Sequence, residues 1–370
     1  MKRFSFLIAS TIAAVASMSC NPRPATGCAA AMREGDRLRV NEEMAVIIWE
    51  PETKTEHFIR QAQFVTDAAD FGFLVPTPTE PVLSETDTNI FWRLNALTEA
   101  KVEWRDEVRS VFRFFRNGIR TTNSEPTSAV QVLNRETVAG YDAAVLRASD
   151  SSALTEWLSK NDYATRPALE DWLQHYIDND WVITAFKLAA KDDREDHVVA
   201  QPIRLSFKTD VPFYPYREPA DMRDPATAGS TRKLRVFFLA DQRYESTLGK
   251  SQASPAKVAW ANRTSTEHPS YGGHLTEAIT AAAKLKQGET ALVGDCWITE
   301  FEDNSAPRNG TDELFFQPSQ VQSAVERPTI VRTRTVTNYY PNLAGFTMWI
   351  ALAIIAAPFF IRAAKAFKAS

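Results

Sequence analysis

Apolar and polar positions along this chain fall into short blocks whose period switches between two and 3.6. Met44 to Trp49, MAVIIW, is an apolar run rich in β-branched residues. The polar turn EPETKTE separates it from His57 to Val65, which alternates like the second strand of a hairpin. In TDAADFGFLVPTPTEP, residues 66 to 81, Phe71, Phe73 and Val75 lie on one side of an extended segment that the prolines stop. Thr86 to Thr98 has helical spacing in Ile90, Phe91, Leu94 and Leu97. Lys101 to Arg120 repeats that spacing: Trp104, Val108, Val111, Phe112, Phe115 and Ile119 form one stripe flanked by lysine and arginine. The pattern predicts a basic amphipathic helix. It packs on its own domain with its arginines in water, or it lies on an anionic membrane surface.

The pattern continues as a mixture. Thr121 to Ser128 reads as a loop, and Val130 to Leu133 and Tyr141 to Leu146 read as strands. Asp150 caps a helix that runs to Lys160, and Pro167 opens another that runs to Asp178. Strands are expected at Trp181 to Ala190, Ile203 to Phe207, Leu234 to Ala240, Lys257 to Ala261 and Ala291 to Phe301. A helix is expected at Gly273 to Lys286, a solvated turn at KDDREDH, and an irregular stretch from Val211 to Pro225. No regular βαβ alternation and no repeat is visible. The expected class is α+β, a mixed and mainly antiparallel sheet with packed helices.

Both ends carry a different signal. Leu343 to Ile361 holds no charge and would span roughly 28 Å as a helix, close to the ~30 Å core of a bilayer. Tyr339 and Tyr340 precede it, and Arg362, Lys365 and Lys368 follow. This predicts a transmembrane helix with its basic end in the cytoplasm. At the other end, Lys2 and Arg3, the apolar run Phe4 to Ala16, and small residues Ser17 and Ser19 make a signal peptide. The expected organisation is a signal peptide at 1–19, an extracytoplasmic domain at 29–316, a polar tether at 317–342, a transmembrane helix at 343–361 and a basic tail at 362–370. That places the protein as a single-pass protein of a bacterial cell membrane, its body periplasmic or extracellular.

Export changes how the three cysteines are read. Cys28 and Cys296 are expected to pair as a disulfide, with a local Cys20–Cys28 bridge as the alternative. Lipidation of Cys20 is the alternative to simple cleavage before it. The formal net charge of −4 gives no case for a nucleic-acid partner.

Candidate chemistry is sparse. His57, His175, His197, His268 and His274 form no HExxH and have no CxxC beside them, so no metal site and no cofactor is implied. There is no GxSxG elbow. Asp70-Phe71-Gly72 spells a kinase triplet without the other kinase parts. Asp67 and Asp70 are close enough in sequence to bind a cation or to share a proton as an acid/base pair, or to cap and end backbone at a turn. The nine tryptophans serve as core residues or as interface anchors.

The passage AADFGFLVPTPTEP at 68 to 81 resembles the fingerprint of an uncharacterised bacterial family, domain of unknown function 2330. YDAAVLRASDSSALTEWLSKNDY at 141 to 163, WVITAFKL at 181 to 188 and IRLSF at 203 to 207 are similar to its later blocks. The usual glycine- and cysteine-rich start of the family is only partly present, as Gly27-Cys28 followed by alanines. The resemblance implies an exported protein, often with a C-terminal membrane helix, and brings no catalytic residues. The expected function is a membrane-anchored module that binds an envelope protein or a small ligand. The alternative is an envelope hydrolase using Asp67, Asp70 or one of the histidines.

Overall fold

A computed structural model describes residues 30–31, 38–66, 70–111, 141–161, 163, 165–189, 197–199, 201–223, 233–265, 275–285, 295–305, 307–339, 350–359 and 361–362. In chain order the first elements are β1 (Ala30–Ala31), β2 (Leu38–Glu50), β3 (Thr55–Thr66), β4 (Asp70–Thr77), β5 (Val82–Glu85) and α1 (Asn89–Thr98). Next come β6 (Val102–Val111), β7 (Tyr141–Leu146), α2 (Ser151–Lys160), α3 (Pro167–Asp178), β8 (Val182–Ala189), β9 (His197–Val199), β10 (Ile203–Lys208) and β11 (Phe213–Tyr214). A 3-10 turn, Ala220–Met222, leads to β12 (Lys233–Ala240), β13 (Tyr244–Leu248), β14 (Gln252–Ala253) and β15 (Lys257–Arg263). The last are α4 (Leu275–Ala282), β16 (Trp297–Asp303), β17 (Leu314–Pro318) and β18 (Ile330–Tyr339).

The described residues within 1–98 and 135–326 form one compact unit, and those within 99–134 and 327–370 form a second. The first unit is built on one large sheet, ordered β15-β16-β12-β2-β3-β10-β5, with β9 also pairing β3. Its pairs are antiparallel except β12 with β2, which runs parallel. The central strands are buried on both faces, which is why MAVIIW and LRVFFLA read as unbroken apolar runs. One face carries Ala45, Ile47, Phe58, Leu205, Val236 and Phe238. They pack on Phe73 and Phe186 of a second sheet, β1-β4-β8-β7, and on Tyr214, Leu314 and Phe316 of a third, β11-β17-β13-β14. The opposite face, with Val46, Ile48, Ile59, Phe237 and Ile298, is covered by α1 and α4. The far side of the second sheet, through Leu74, Ile183 and Ala185, is covered by α2 and α3. This is the α+β, mainly antiparallel class that the pattern predicts.

Local signals explain the helices. Asp150 caps α2 by accepting the Ala153 N–H at 2.7 Å, and Pro167 opens α3 where no N–H is needed. Gly72 in β4 has a packing reason. A Cβ there would lie 2.5 Å from Tyr163 Cε1 and 2.9 Å from the Phe186 carbonyl oxygen.

The second unit corrects two expectations. Val102–Val111 is a strand, not the start of a helix, and it pairs in parallel with β18 over ten residues of each strand. The stretch read as a polar tether therefore contains β18, and the end of β17 as well. Val108 and Val111 follow Trp104 at helical spacing, but Val102, Trp104 and Val108 also share one face of a strand, so the period alone was ambiguous. The pairing supplies what the period lacked. Arg332 lies opposite Trp104 with its guanidinium 6.0 Å from the ring, and Arg334 lies opposite Asp106 and bonds both its oxygens at 3.1 and 3.2 Å. Residues 112–140, which include the rest of the predicted helix and the loop and strand after it, lie outside the described residues. Residues 350–359 and 361–362 are helical. Among the described residues no helix is long and apolar enough to cross a membrane.

Candidate functional site

The β2–β3 turn brings three polar side chains together on one face of the large sheet. Ile48 faces His57 across the hairpin, so Glu50, two residues past Ile48, emerges on the same face as His57. Ser206 on β10 is directly opposite His57 on its other side. Ser206 Oγ is 2.8 Å from His57 Nδ1, and His57 Nε2 is 3.3 Å from Glu50 Oε1. The second Glu50 oxygen accepts the Thr53 hydroxyl at 3.0 Å. A carboxylate only accepts, so Nε2 carries the proton it shares with Glu50. In a neutral imidazole, Nδ1 then keeps a lone pair facing the serine hydroxyl. His57 and Glu50 are buried and Ser206 is partly exposed. Arg204 and Lys208 flank Ser206 on the same strand face. Arg204 Nη1 donates to the Ala283 carbonyl at 2.8 Å, and Lys208 Nζ donates to Thr53 O and Thr55 Oγ1, each at 2.7 Å. Chemically, the arrangement is a hydroxyl, a base and an acid that orients the base.

A second polar cluster lies on the other face and is closed. Glu43 and Asp303 both lie opposite Leu234, on either side of β12. Between them and the 216–218 segment sits Arg308. Its Nη1 donates to Glu43 Oε2 at 3.2 Å and lies 4.0 Å from Glu218 Oε1, and its Nε is 4.0 Å from Asp303 Oδ2. Arg60 Nε donates to the other Glu43 oxygen at 2.8 Å, and the Tyr216 hydroxyl donates to Asp303 at 2.7 Å. Burial works against the Arg308 charge, but Glu43, Tyr214 and Glu218 outweigh it and raise its pKa.

Beside this cluster, Glu313 accepts the Tyr216 and Arg217 N–H groups at 2.6 and 3.2 Å and the Tyr176 hydroxyl. Burial nevertheless pushes its carboxyl up to about 7. Glu56 is likewise raised well above the ordinary range by burial, with the Phe213 N–H as its partner at 2.9 Å. These groups clamp residues 307–313 and 213–218 to the sheet. Their burial and mutual pairing make them structural.

The comparisons with known proteins bear on the whole body. The profile of a bacterial family, described as uncharacterized protein conserved in bacteria (DUF2330), matches residues 22–311. The chain belongs to this family. The match takes in Glu50, His57, Ser206 and Arg308, and it ends before β18. Among solved structures, the crystal structure of baculovirus P35 aligns with a TM-score of 0.34 and 8% identity, covering 79% of this chain and 97% of that one. Among curated proteins nothing matches.

The residues singled out by sequence in this DUF2330 protein mostly stay apart. Asp70 opens β4 opposite Ala189, and Asp67 lies outside the described residues. Cys20, Cys28, His268 and His274 lie outside them too. His175 is on α3 against Tyr176, with burial holding it below its ordinary value, and His197 opens β9. Cys296 carries a free, buried thiol, so the expected Cys28–Cys296 bridge is not formed in this structure. The thiol faces the apolar cluster under α4, 3.8 Å from Thr264 Oγ1 and 3.7 Å from Thr276 Oγ1, and burial raises its pKa. Among the described residues no group of three or more His, Cys, Asp or Glu side chains is placed to hold a metal.

Of the tryptophans, Trp49, Trp172, Trp260 and Trp297 are core residues, whereas Trp92 and Trp104 are exposed. Sequence reading missed the Ser206–His57–Glu50 group. Its only local signal was the His57 and Ser206 positions on neighbouring alternating strands, and register supplied the rest.

Proposed function

We propose that this chain is a membrane-anchored extracytoplasmic module that binds an envelope protein through its second unit. The observation that carries the reading is the helical stretch 350–359. It is uncharged and open on nearly every side, with Ile354 67% exposed and Phe359 76% exposed. A helix that is apolar all round and uncovered by its own protein belongs in lipid. The uncharged run of 343–361 has the length for a bilayer, and Arg362, Lys365 and Lys368 fit a cytoplasmic end. The N-terminal signal pattern fits export of everything between.

Binding is read from the ribbon of β6 and β18. Val102, Trp104, Ile330 and Val331 are large apolar side chains left exposed on a two-stranded ribbon. Such ribbons have little stability of their own in water. A protein partner that covers Trp104 would supply the missing burial.

The test is crosslinking in intact cells, followed by purification of the full chain through a C-terminal tag and mass spectrometry. The reading expects one envelope protein at near-stoichiometric yield, with recovery reduced at least tenfold by Trp104→Ala. Recovery of the chain alone, or of the same partner irrespective of Trp104, would contradict it.

A further inference from the structure

We infer that Ser206 is a nucleophile for acyl transfer, activated by His57, and that this chain hydrolyses small carboxylic esters at the rim of its large sheet. The inference does not depend on the membrane reading.

Geometry is the first ground. The Ser206 hydroxyl is 2.8 Å from His57 Nδ1, within reach for proton transfer. Glu50 holds the opposite ring nitrogen and is itself fixed by Thr53, so the imidazole cannot rotate away without breaking two contacts. A nucleophile, a base and an acid that orients the base are the parts that activate a serine, and they are recognised by geometry rather than by sequence order. Access is the second ground. His57 and Glu50 are buried, Ser206 is partly exposed, and Val82, opposite Ser206 on β5, is 66% exposed. An acyl chain has an apolar surface to rest on beside the hydroxyl.

The step balances without any redox partner. The Ser206 proton passes to Nδ1 as Oγ bonds the ester carbonyl carbon. The C–O bond to the alcohol breaks, and the alcohol leaves with the proton from His57. Water then gives a proton to His57 as its oxygen bonds the acyl carbon. The acyl–Oγ bond breaks, Ser206 regains the proton, and a carboxylic acid is released.

Charge stabilisation comes from side chains here. Lys208 donates its backbone N–H to Thr79 Oγ1 on one side of β10, while Thr209 donates to Lys54 O on the other. The strand alternation therefore turns the Ser206 N–H into the sheet toward β5. Lys208, about 7 Å along the same face, is an exposed cation. Two of its ammonium protons go to Thr53 O and Thr55 Oγ1, and the third can serve the developing oxyanion. Glu50 is a positioning residue, since it acts through His57.

The experiment treats detergent-solubilised full-length protein with a fluorophosphonate probe and locates the label by peptide mass spectrometry. p-Nitrophenyl butyrate turnover is followed in parallel. The expected result is one label on Ser206, abolished by Ser206→Ala and reduced at least tenfold by His57→Gln. Glu50→Gln should lower kcat at least tenfold with KM little changed, and Glu50→Asp should recover part of the loss. Ser206→Ala removes one oxygen, and its melting curve shows whether it folds as the parent does. A folded parent that takes no label, or a label that persists in a folded Ser206→Ala variant, overturns the inference.

Discussion

Arg308 donates to Glu43 across 265 positions of sequence, and both side chains are almost fully withdrawn from water. The pair fastens the last part of the first unit to the second strand of its sheet. Arg308→Met removes one of the cations that Glu43 bonds, Arg60 being another, and takes away the guanidinium that lies 4.0 Å from both Glu218 and Asp303. Removing one partner of a buried ionic cluster costs about 3–5 kcal/mol. Chemical denaturation of the full chain should show a loss of that size, and Arg308→Met with Glu43→Gln should lose less than the sum of the two single changes. Strict additivity would mean that the two residues are not coupled.

Glu313 makes stability depend on pH. Burial lifts its carboxyl from an ordinary 4.5 to about 7 in the folded chain. The folded state therefore holds the proton more tightly than the unfolded one. Its contribution is fully present below about pH 4.5 and is lost as the pH rises through 7, a change on the order of 3 kcal/mol. Glu56 acts in the same direction. The melting temperature followed from pH 5 to pH 7.5 should fall less steeply in Glu313→Gln than in the parent. An unchanged slope would remove Glu313 from this account.

Gly72 is required by packing against Tyr163 and Phe186, with no positive φ involved. Gly72→Ala should cost about 2 kcal/mol through overpacking, because the near contacts include backbone that cannot move aside. Adding Tyr163→Leu removes the ring but not the Phe186 carbonyl, so the double variant should recover only part of the loss in a thermal melt.

The Cys296 thiol sits among Thr264, Thr276 and apolar side chains of the α4 layer. A buried thiol with a raised pKa reacts slowly with alkylating agents. In protein purified without reductant, Cys296 should resist maleimide in the native state and react on addition of denaturant. A Cys28–Cys296 crosslinked peptide in that material would contradict the free thiol.

Much of this fold was legible in sequence where one physical signal was strong. MAVIIW and LRVFFLA announced central strands because burial on both faces leaves no polar positions. Asp150 and Pro167 announced helix starts because backbone N–H groups there need an acceptor or can be dispensed with. Lys101 to Val111 was misread because Trp104, Val108 and Val111 fit a helix stripe, while the strand reading depends on a partner more than two hundred residues away. The threonines of β18, at 333, 335 and 337, alternate as a strand should, but a polar strand resembles a linker until its partner is known. The Ser206–His57–Glu50 group was hidden for a related reason. Strand register places Ser206 beside His57, and no motif spacing reports a register.

The proposal that the body of this chain lies outside the cytoplasm, held by residues 343–361, has a direct test. Spheroplasts expressing the full chain with a C-terminal epitope should be treated with protease, and the epitope followed on a blot before and after lysis. The account predicts that the first unit is degraded in intact spheroplasts while the epitope survives on a small fragment that remains with membranes after alkaline extraction. A full-length chain protected until the cells are lysed, or one released by alkaline extraction, would contradict it.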